Sequence, residues 1–237
     1  ANLIFIFLMI LESTFSQNLI EVLSQIESAC RKSGRSFDEI RLLPVTKNWP
    51  SDAIQYCLRA NLDQVGENRV KEAREKMKSL QNVKFELIGH LQRNKVKDVV
   101  GNFYRIQTID SIKLLERVAI LAKDKLVKQK ILIQVNAGND PAKFGVSMES
   151  AESLVEKALA LESIELEGLM TIAPFAPENL SIARRCFNNL QVLKQKLVEK
   201  TGAGLDELSM GMSADLSEAI AEGATMIRVG SALFGNR

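Results

Sequence analysis

Lys47 closes a short apolar run, Leu42-Leu43-Pro44-Val45-Thr46-Lys47, which Asn48-Trp49-Pro50 then breaks. Strand side chains alternate between faces, so Leu43, Val45 and Lys47 share one face and Leu42, Pro44 and Thr46 the other. A lysine ending an apolar strand is expected to be poorly hydrated, which favours the neutral amine and frees it to attack a carbonyl. Lys47 is therefore a candidate Schiff-base lysine. The ordinary alternative is an ammonium that snorkels from the strand end to water. Arg228 is the second chemical group. In Thr225-Met226-Ile227-Arg228-Val229-Gly230 it shares a face with Met226 and Gly230. Pointing inward, its guanidinium is buried and needs an acceptor; otherwise it faces outward or pairs with a carboxylate such as Glu67. The third group is a pair of loops, Ser209-Met210-Gly211-Met212-Ser213 and Arg228-Val229-Gly230-Ser231. Gly211 and Gly230 let the backbone approach a ligand closely. Ser209, Ser213 and Ser231 add hydroxyl donors, and Ser213 can cap a following helix. Each loop alone is ordinary turn chemistry; together they suit an anion, phosphate above all.

Regular elements must bring these groups together. Apolar residues at Leu19, Val22, Leu23, Ile26 and Ala29 recur with helical period, which predicts a helix over Phe15 to Lys32, stopped by Gly34. The run ending at Lys47 is the first strand. Further strands are predicted at 62–66, 84–89, 104–109, 130–136, 164–171, 208–210 and 225–229. Helices or helical turns fall between them at 51–60, 67–80, 93–100, 111–127, 147–161, 177–201 and 213–222. Strands alternating with helices predict a parallel sheet, and eight such units in one domain predict a single-domain (β/α)8 TIM barrel, with a doubly wound open sheet as the alternative. Pro44 predicts a bulge, because a central strand that lacks an N–H loses a ladder bond. The eighth unit ends at Phe234-Gly235-Asn236-Arg237, which leaves little room for a last helix.

A barrel places its active site at the carboxyl ends of the strands. Collected there are Lys47, Asn68, His90, Asn136, Met170 and both loops, with the seventh and eighth strands at the usual phosphate position. An amine for an aldehyde, a phosphate cradle and a buried arginine beside it are what a phosphorylated pyridine aldehyde would use. In that reading Lys47 forms the Schiff base and Arg228 donates to the ring nitrogen. A permanently charged arginine there discourages protonation of that nitrogen and weakens the ring as an electron sink.

Composition narrows the classes. The chain has 237 residues, 46% hydrophobic and 25% charged, ample for a large core. A net charge of +2 gives no reason to expect nucleic acid or an anionic membrane. Cys30, Cys57 and Cys186 are widely spaced and odd in number, which points to a reducing compartment, the cytoplasm. A single histidine, His90, argues against a transition-metal site. Residues 1–14 begin with ANLIFIFLMIL, too short for a spanning helix of about 20 residues and without a basic n-region. They are expected to be an extension outside the fold, with Met9 as the natural start and residues 15–237 as the domain.

The segments PVTKNWP, GENRVKE, ELIGHLQRNK, IQTIDS, KFGV, GLMTI, SMGMSADLSEAI and RVGSALFG occur in this order. The set resembles the pyridoxal phosphate (PLP) homeostasis proteins, single-domain relatives of the barrel of bacterial alanine racemases, from about Gln17 to Gly235. The resemblance implies a PLP lysine at Lys47 and a phosphate site at Ser209, Ser213, Gly230 and Ser231. It implies ring contacts from Asn68 and Arg228. Met170 and Met210, at the ends of the sixth and seventh strands, complete the expected cofactor-binding set. His90 falls in a family motif, with a hydrogen-bonded structural role as good a reading as a functional one. Pro44, Thr46 and Ser231 depart mildly from the family pattern.

The related racemases add a β-rich domain that supplies a tyrosine acid/base. Racemisation needs a proton removed on one face and delivered on the other. The only tyrosines here, Tyr56 and Tyr104, fall in a helix and at an early strand position. The expected function is thus a monomeric PLP-binding protein of vitamin B6 homeostasis that does not catalyse and hands PLP to apo-enzymes. Two other classes stay open. One is a PLP enzyme acting on amino acids. The other is a regulatory protein whose charged segments at 67–78 and 92–98 bind a partner.

Overall fold

The computed structural model describes residues 11–235. Residues 1–10, most of the expected extension, lie outside the described residues. Helix α1 runs Glu12–Lys32, starting three residues before the periodicity predicts, and Glu12 pairs with Arg59. Then come β1 (Arg41–Pro44), α2 (Ser51–Arg59), β2 (Gln64–Glu67), α3 (Val70–Met77), β3 (Lys84–Leu87) and α4 (Val96–Val99). The chain continues through β4 (Arg105–Ile109), α5 (Ile112–Asp124), β5 (Gln129–Gln134), α6 (Ala151–Leu159), β6 (Ile164–Met170) and α7 (Leu180–Thr201). It ends with β7 (Glu207–Ser209), α8 (Leu216–Ala221), β8 (Met226–Val229) and the single turn α9 (Ser231–Phe234). All ladder pairs are parallel, in the order β1-β8-β7-β6-β5-β4-β3-β2. The ring closes between β1 and β2 through a bridge of Val45 with Gly66 and the Thr46 N–H donating to Gly66 O (3.0 Å). This is the TIM barrel that the alternation of elements predicts.

The bulge expected at Pro44 is absent: β1 pairs with β8 in unbroken register from Arg41↔Met226 to Pro44↔Val229. The N–H groups of Arg41 and Val45 donate to β8, and that of Thr46 donates to β2. Odd residues of β1 thus spend their N–H on β8 and even residues turn theirs to the β1–β2 seam. Pro44 is even, so its missing donor falls where the ladder is already reduced to one bridge. Register shifts occur instead in the β4–β5 and β5–β6 pairs.

The crowded end of the eighth unit is filled from the other terminus. Phe15 of α1 stacks on Phe234 with ring centroids 5.4 Å apart, and Asn18 Nδ2 donates to Leu233 O (2.9 Å). α1 thus packs directly on α9 at this side of the barrel.

The main apolar core lies between the barrel wall and the helices, where outward residues such as Leu42, Val65, Ile106, Ile227 and Val229 meet helix residues such as Ile54, Leu115 and Phe187. Inside the barrel the apolar group is small: Leu43, Val45, Ile88 and Met226. The rest is polar. Arg105 donates from Nε and Nη2 to both oxygens of Glu86 (2.8 and 2.9 Å) and lies within 2.8 Å of Glu167 and 3.2 Å of Glu207. Lys130 joins Glu165 and Glu167 beside it. A buried arginine beside this many carboxylates stays charged: burial disfavours the cation, but Glu86, Glu207 and Glu167 outweigh it and raise its pKa.

Candidate functional site

At the carboxyl ends of the strands a cavity of about 510 Å³ opens to solvent. Lys47, Asn68, Ser213, Arg228, Gly230 and Ser231 all line it. Arg228 of β8 and residues of the loops that follow β1, β2, β7 and β8, up to 184 positions apart in sequence (Lys47 to Ser231), are thus brought to one hollow. Met170, Ser209 and Met210 do not line it; each is fully buried. Met210 faces outward into the core around the barrel, and Ser209 sits beneath Arg228.

Lys47 departs from expectation in one respect. The strand ends at Pro44, and Lys47 stands in the turn beyond it, exposed rather than desolvated. No carboxylate among the described residues pairs with it, so its amine is open to the cavity. Its availability comes from a lack of partners, not from apolar surroundings.

Arg228 points into the barrel and is buried. Nη1 donates to Ser209 Oγ (2.7 Å) and Nη2 to Thr171 O (2.9 Å). Ser209 Oγ in turn donates to Gln107 Oε1 (2.6 Å), and Gln107 Nε2 donates to Glu86 Oε2 (2.5 Å). This chain of bonds runs from the ionic layer up to the cavity floor. Of the five guanidinium N–H groups, the remainder have no acceptor among the described residues. No carboxylate there pairs directly with Arg228, and Glu67, the partner considered from sequence, turns outward to Lys76 (2.6 Å). Burial pushes the Arg228 pKa down to about 10, against the opposing pull of Asp215 and Glu86. It is a cation at neutral pH with donors to spare.

The two loops supply more donors. Gly211 adopts φ +93°, and a Cβ there would lie 2.5 Å from the Ala219 Cβ, so only glycine fits. The turn is held by Asp215 Oδ1, which accepts from the Met212 N–H (2.6 Å). Among the described residues, the N–H groups of Ser213, Ala214, Gly230 and Ser231 find no acceptor, and all four residues line the cavity. Such a cluster of open N–H groups with hydroxyls beside it receives an anion.

Asp215 is the counterweight. Burial raises its pKa above the ordinary 3.8, although the Met212 N–H and Arg228 oppose the shift. A carboxyl with a raised folded-state pKa adds stability that is present below pH 3.8 and lost as pH rises through the raised value. Asp215→Asn keeps the acceptor for Met212 without that loss. The melting temperature of the variant relative to wild type should therefore rise between pH 3.8 and neutrality. A pH-independent difference between the two melting curves would refute this.

His90 lies near the cavity, following Ile88 of its lining. Its Nδ1 is 3.4 Å from Asp110 Oδ2, and its ring stacks on Phe144 at 3.9 Å. Burial raises the Asp110 pKa while His90 opposes the shift. His90 thereby braces the loop that carries Lys143, a lining residue which the sequence reading passed over. Lys143 sits in the KFGV segment, so the signal was present but carried no distinguishing chemistry. Among the described residues no cluster of His, Cys, Asp and Glu could hold a metal ion, and no helix is long and apolar enough to cross a membrane.

Residues 23–237 match the family model for the alanine racemase N-terminal domain. The pyridoxal phosphate homeostasis protein of Aquifex aeolicus is 37% identical over 223 residues, 93% of this chain and 97% of the relative. The chain belongs to the pyridoxal phosphate homeostasis family. Among solved structures, PipY of Synechococcus elongatus with PLP bound is 32% identical, with TM-score 0.79, covering 90% of this chain and all of that one (100%). An alanine racemase of Clostridium difficile shares the fold alone, at 17% identity and TM-score 0.76, with 95% of this chain matching 57% of the racemase.

Proposed function

We propose that this family member binds PLP in the cavity at the strand ends and serves PLP homeostasis as a non-catalytic carrier. The observation that carries the reading is the shared lining: a free lysine, a buried arginine with spare donors, and four open backbone N–H groups around about 510 Å³. The residues fit the group. PLP brings an aldehyde, a pyridine nitrogen and a phosphate dianion. Lys47 offers the amine, Arg228 a donor that keeps its own proton, and Ser213, Ala214, Gly230 and Ser231 hold the phosphate. PipY, solved with PLP bound, supports the same cofactor here.

Absence of turnover is part of the proposal. Tyr104 lies among Lys84, Arg105 and Lys130, and Tyr56 near Phe15 and Arg59; neither lines the cavity. Lys143 does, and a second reading, an enzyme acting on amino acids, rests on that second amine. Three unpaired cysteines support a cytoplasmic, reducing setting, and we take the carrier to be a monomer that hands PLP to apo-enzymes. The test loads the protein with PLP, removes free cofactor and adds an apo-form PLP enzyme. Recovery of that enzyme's activity faster than PLP leaves the carrier alone supports hand-over. Conversion of any amino acid by the loaded carrier itself overturns the non-catalytic reading.

A further inference from the structure

The helix behind Lys47 holds both peptide groups that flank it. Lys76, buried on α3, donates from Nζ to the Thr46 carbonyl (2.8 Å), to Glu67 Oε1 (2.6 Å) and to Glu72 Oε1 (2.8 Å). The same Glu72 oxygen accepts from the Asn48 N–H (2.5 Å). Thr46 Oγ1 donates to Glu67 Oε1 (2.6 Å), so the residue before Lys47 is fixed by backbone and side chain together. Asn48 takes φ +64°, a left-handed conformation that asparagine tolerates better than most residues but that still needs support. Glu72 provides it.

We infer that Glu72 and Lys76 are positioning residues: they clamp the Thr46–Asn48 backbone and so aim the Lys47 amine into the cavity. The inference rests on Lys47 being the attachment amine. Three features favour aiming over simple support of the fold. Pairing with the neighbouring strands ends with the Thr46 N–H on Gly66 O, so no ladder bond holds Lys47 itself. Both clamp bonds go to main-chain atoms adjoining one residue. Glu67 Oε1 accepts from both Thr46 Oγ1 and Lys76 Nζ, tying the residue before Lys47 to the helix side of the clamp. Departure of Lys76 would leave Glu67 buried without a cation, so Lys76 variants confound aiming with folding. Glu72 is partly exposed and spares that pair.

The experiment therefore compares Glu72→Ala with Glu72→Gln. The glutamine keeps an oxygen that can accept from Asn48 N–H; alanine does not. Protein is mixed with PLP, reduced with borohydride at timed intervals, and the label on the Lys47 peptide is measured by mass. Pyridoxine 5′-phosphate, which has the ring and phosphate but no aldehyde, reports the rest of the site through its Kd. We expect Glu72→Ala to slow labelling of Lys47 by about tenfold or more, the effect of a misplaced reacting group. Its pyridoxine phosphate Kd should stay within about twofold of wild type, a shift of ~0.4 kcal/mol, and Glu72→Gln should recover most of the rate. Wild-type labelling in Glu72→Ala, equal loss in both variants, or a parallel loss of pyridoxine phosphate affinity each overturns the clamp. An unlabelled Lys47 in the wild-type protein refutes the attachment reading itself, and the clamp's purpose with it.

Discussion

Lys47→Ala is expected to lose PLP on gel filtration and to leave no borohydride-trapped cofactor on the protein at this position. The phosphate donors and Arg228 are untouched by the change, so binding should weaken rather than vanish. A loss of about 100-fold in affinity, or ~2.7 kcal/mol, is the expected scale for removing the one reversible covalent contact. Lys47→Arg sharpens the test. It keeps the positive charge at the cavity but not the nucleophile, since a guanidinium does not deprotonate in proteins. If charge attraction alone held the phosphate, the arginine variant would retain PLP; the amine chemistry proposed here predicts that it fails as alanine does.

The second large effect concerns stability. Arg105→Met removes the cation that Glu86, Glu167 and Glu207 surround inside the barrel. Glu86 is fully buried and would be left without a counter-charge. Breaking one side of a buried pair costs about 3–5 kcal/mol, which for a domain of this length lowers the melting temperature by roughly 6–20 °C. The double variant Arg105→Met with Glu86→Gln should recover part of the loss, because no isolated buried charge is left at that pair. Thermal denaturation of the three proteins checks this. A single variant as stable as wild type would mean that water reaches Glu86 and that the Arg105–Glu86 pair is not shielded from solvent.

That ionic layer also shows where sequence reading stops. The alternation of strands and helices was legible because each outward face carries apolar residues, such as Leu42 and Ile227, that pack on helices. The inward faces carry Glu86, Arg105, Gln107, Lys130, Glu167 and Glu207, and one polar residue at every second position reads equally well as a solvent-facing side. Only closure of the barrel makes those positions interior. Arg228 illustrates the same ambiguity: its face was identified but not its acceptors, since Ser209 lies 19 residues away in sequence and Thr171 is used through its carbonyl. Lys47 stood out from its place after an apolar run and does line the cavity, yet the expected desolvation is not there, as the residue is exposed. Glu67 was considered as an arginine partner; its position on β2 turns it to the helical layer and Lys76 instead. Thr46, a departure from the family pattern, turns out to anchor that glutamate.

The most direct measurement is a crystal structure of the protein soaked with PLP. The account predicts cofactor density continuous with Lys47 Nζ, the ring nitrogen facing Arg228 and the phosphate at the N–H groups of Ser213, Ala214, Gly230 and Ser231. PLP bound elsewhere, or in this cavity with its phosphate turned away from those loops and no bond to Lys47, would contradict it.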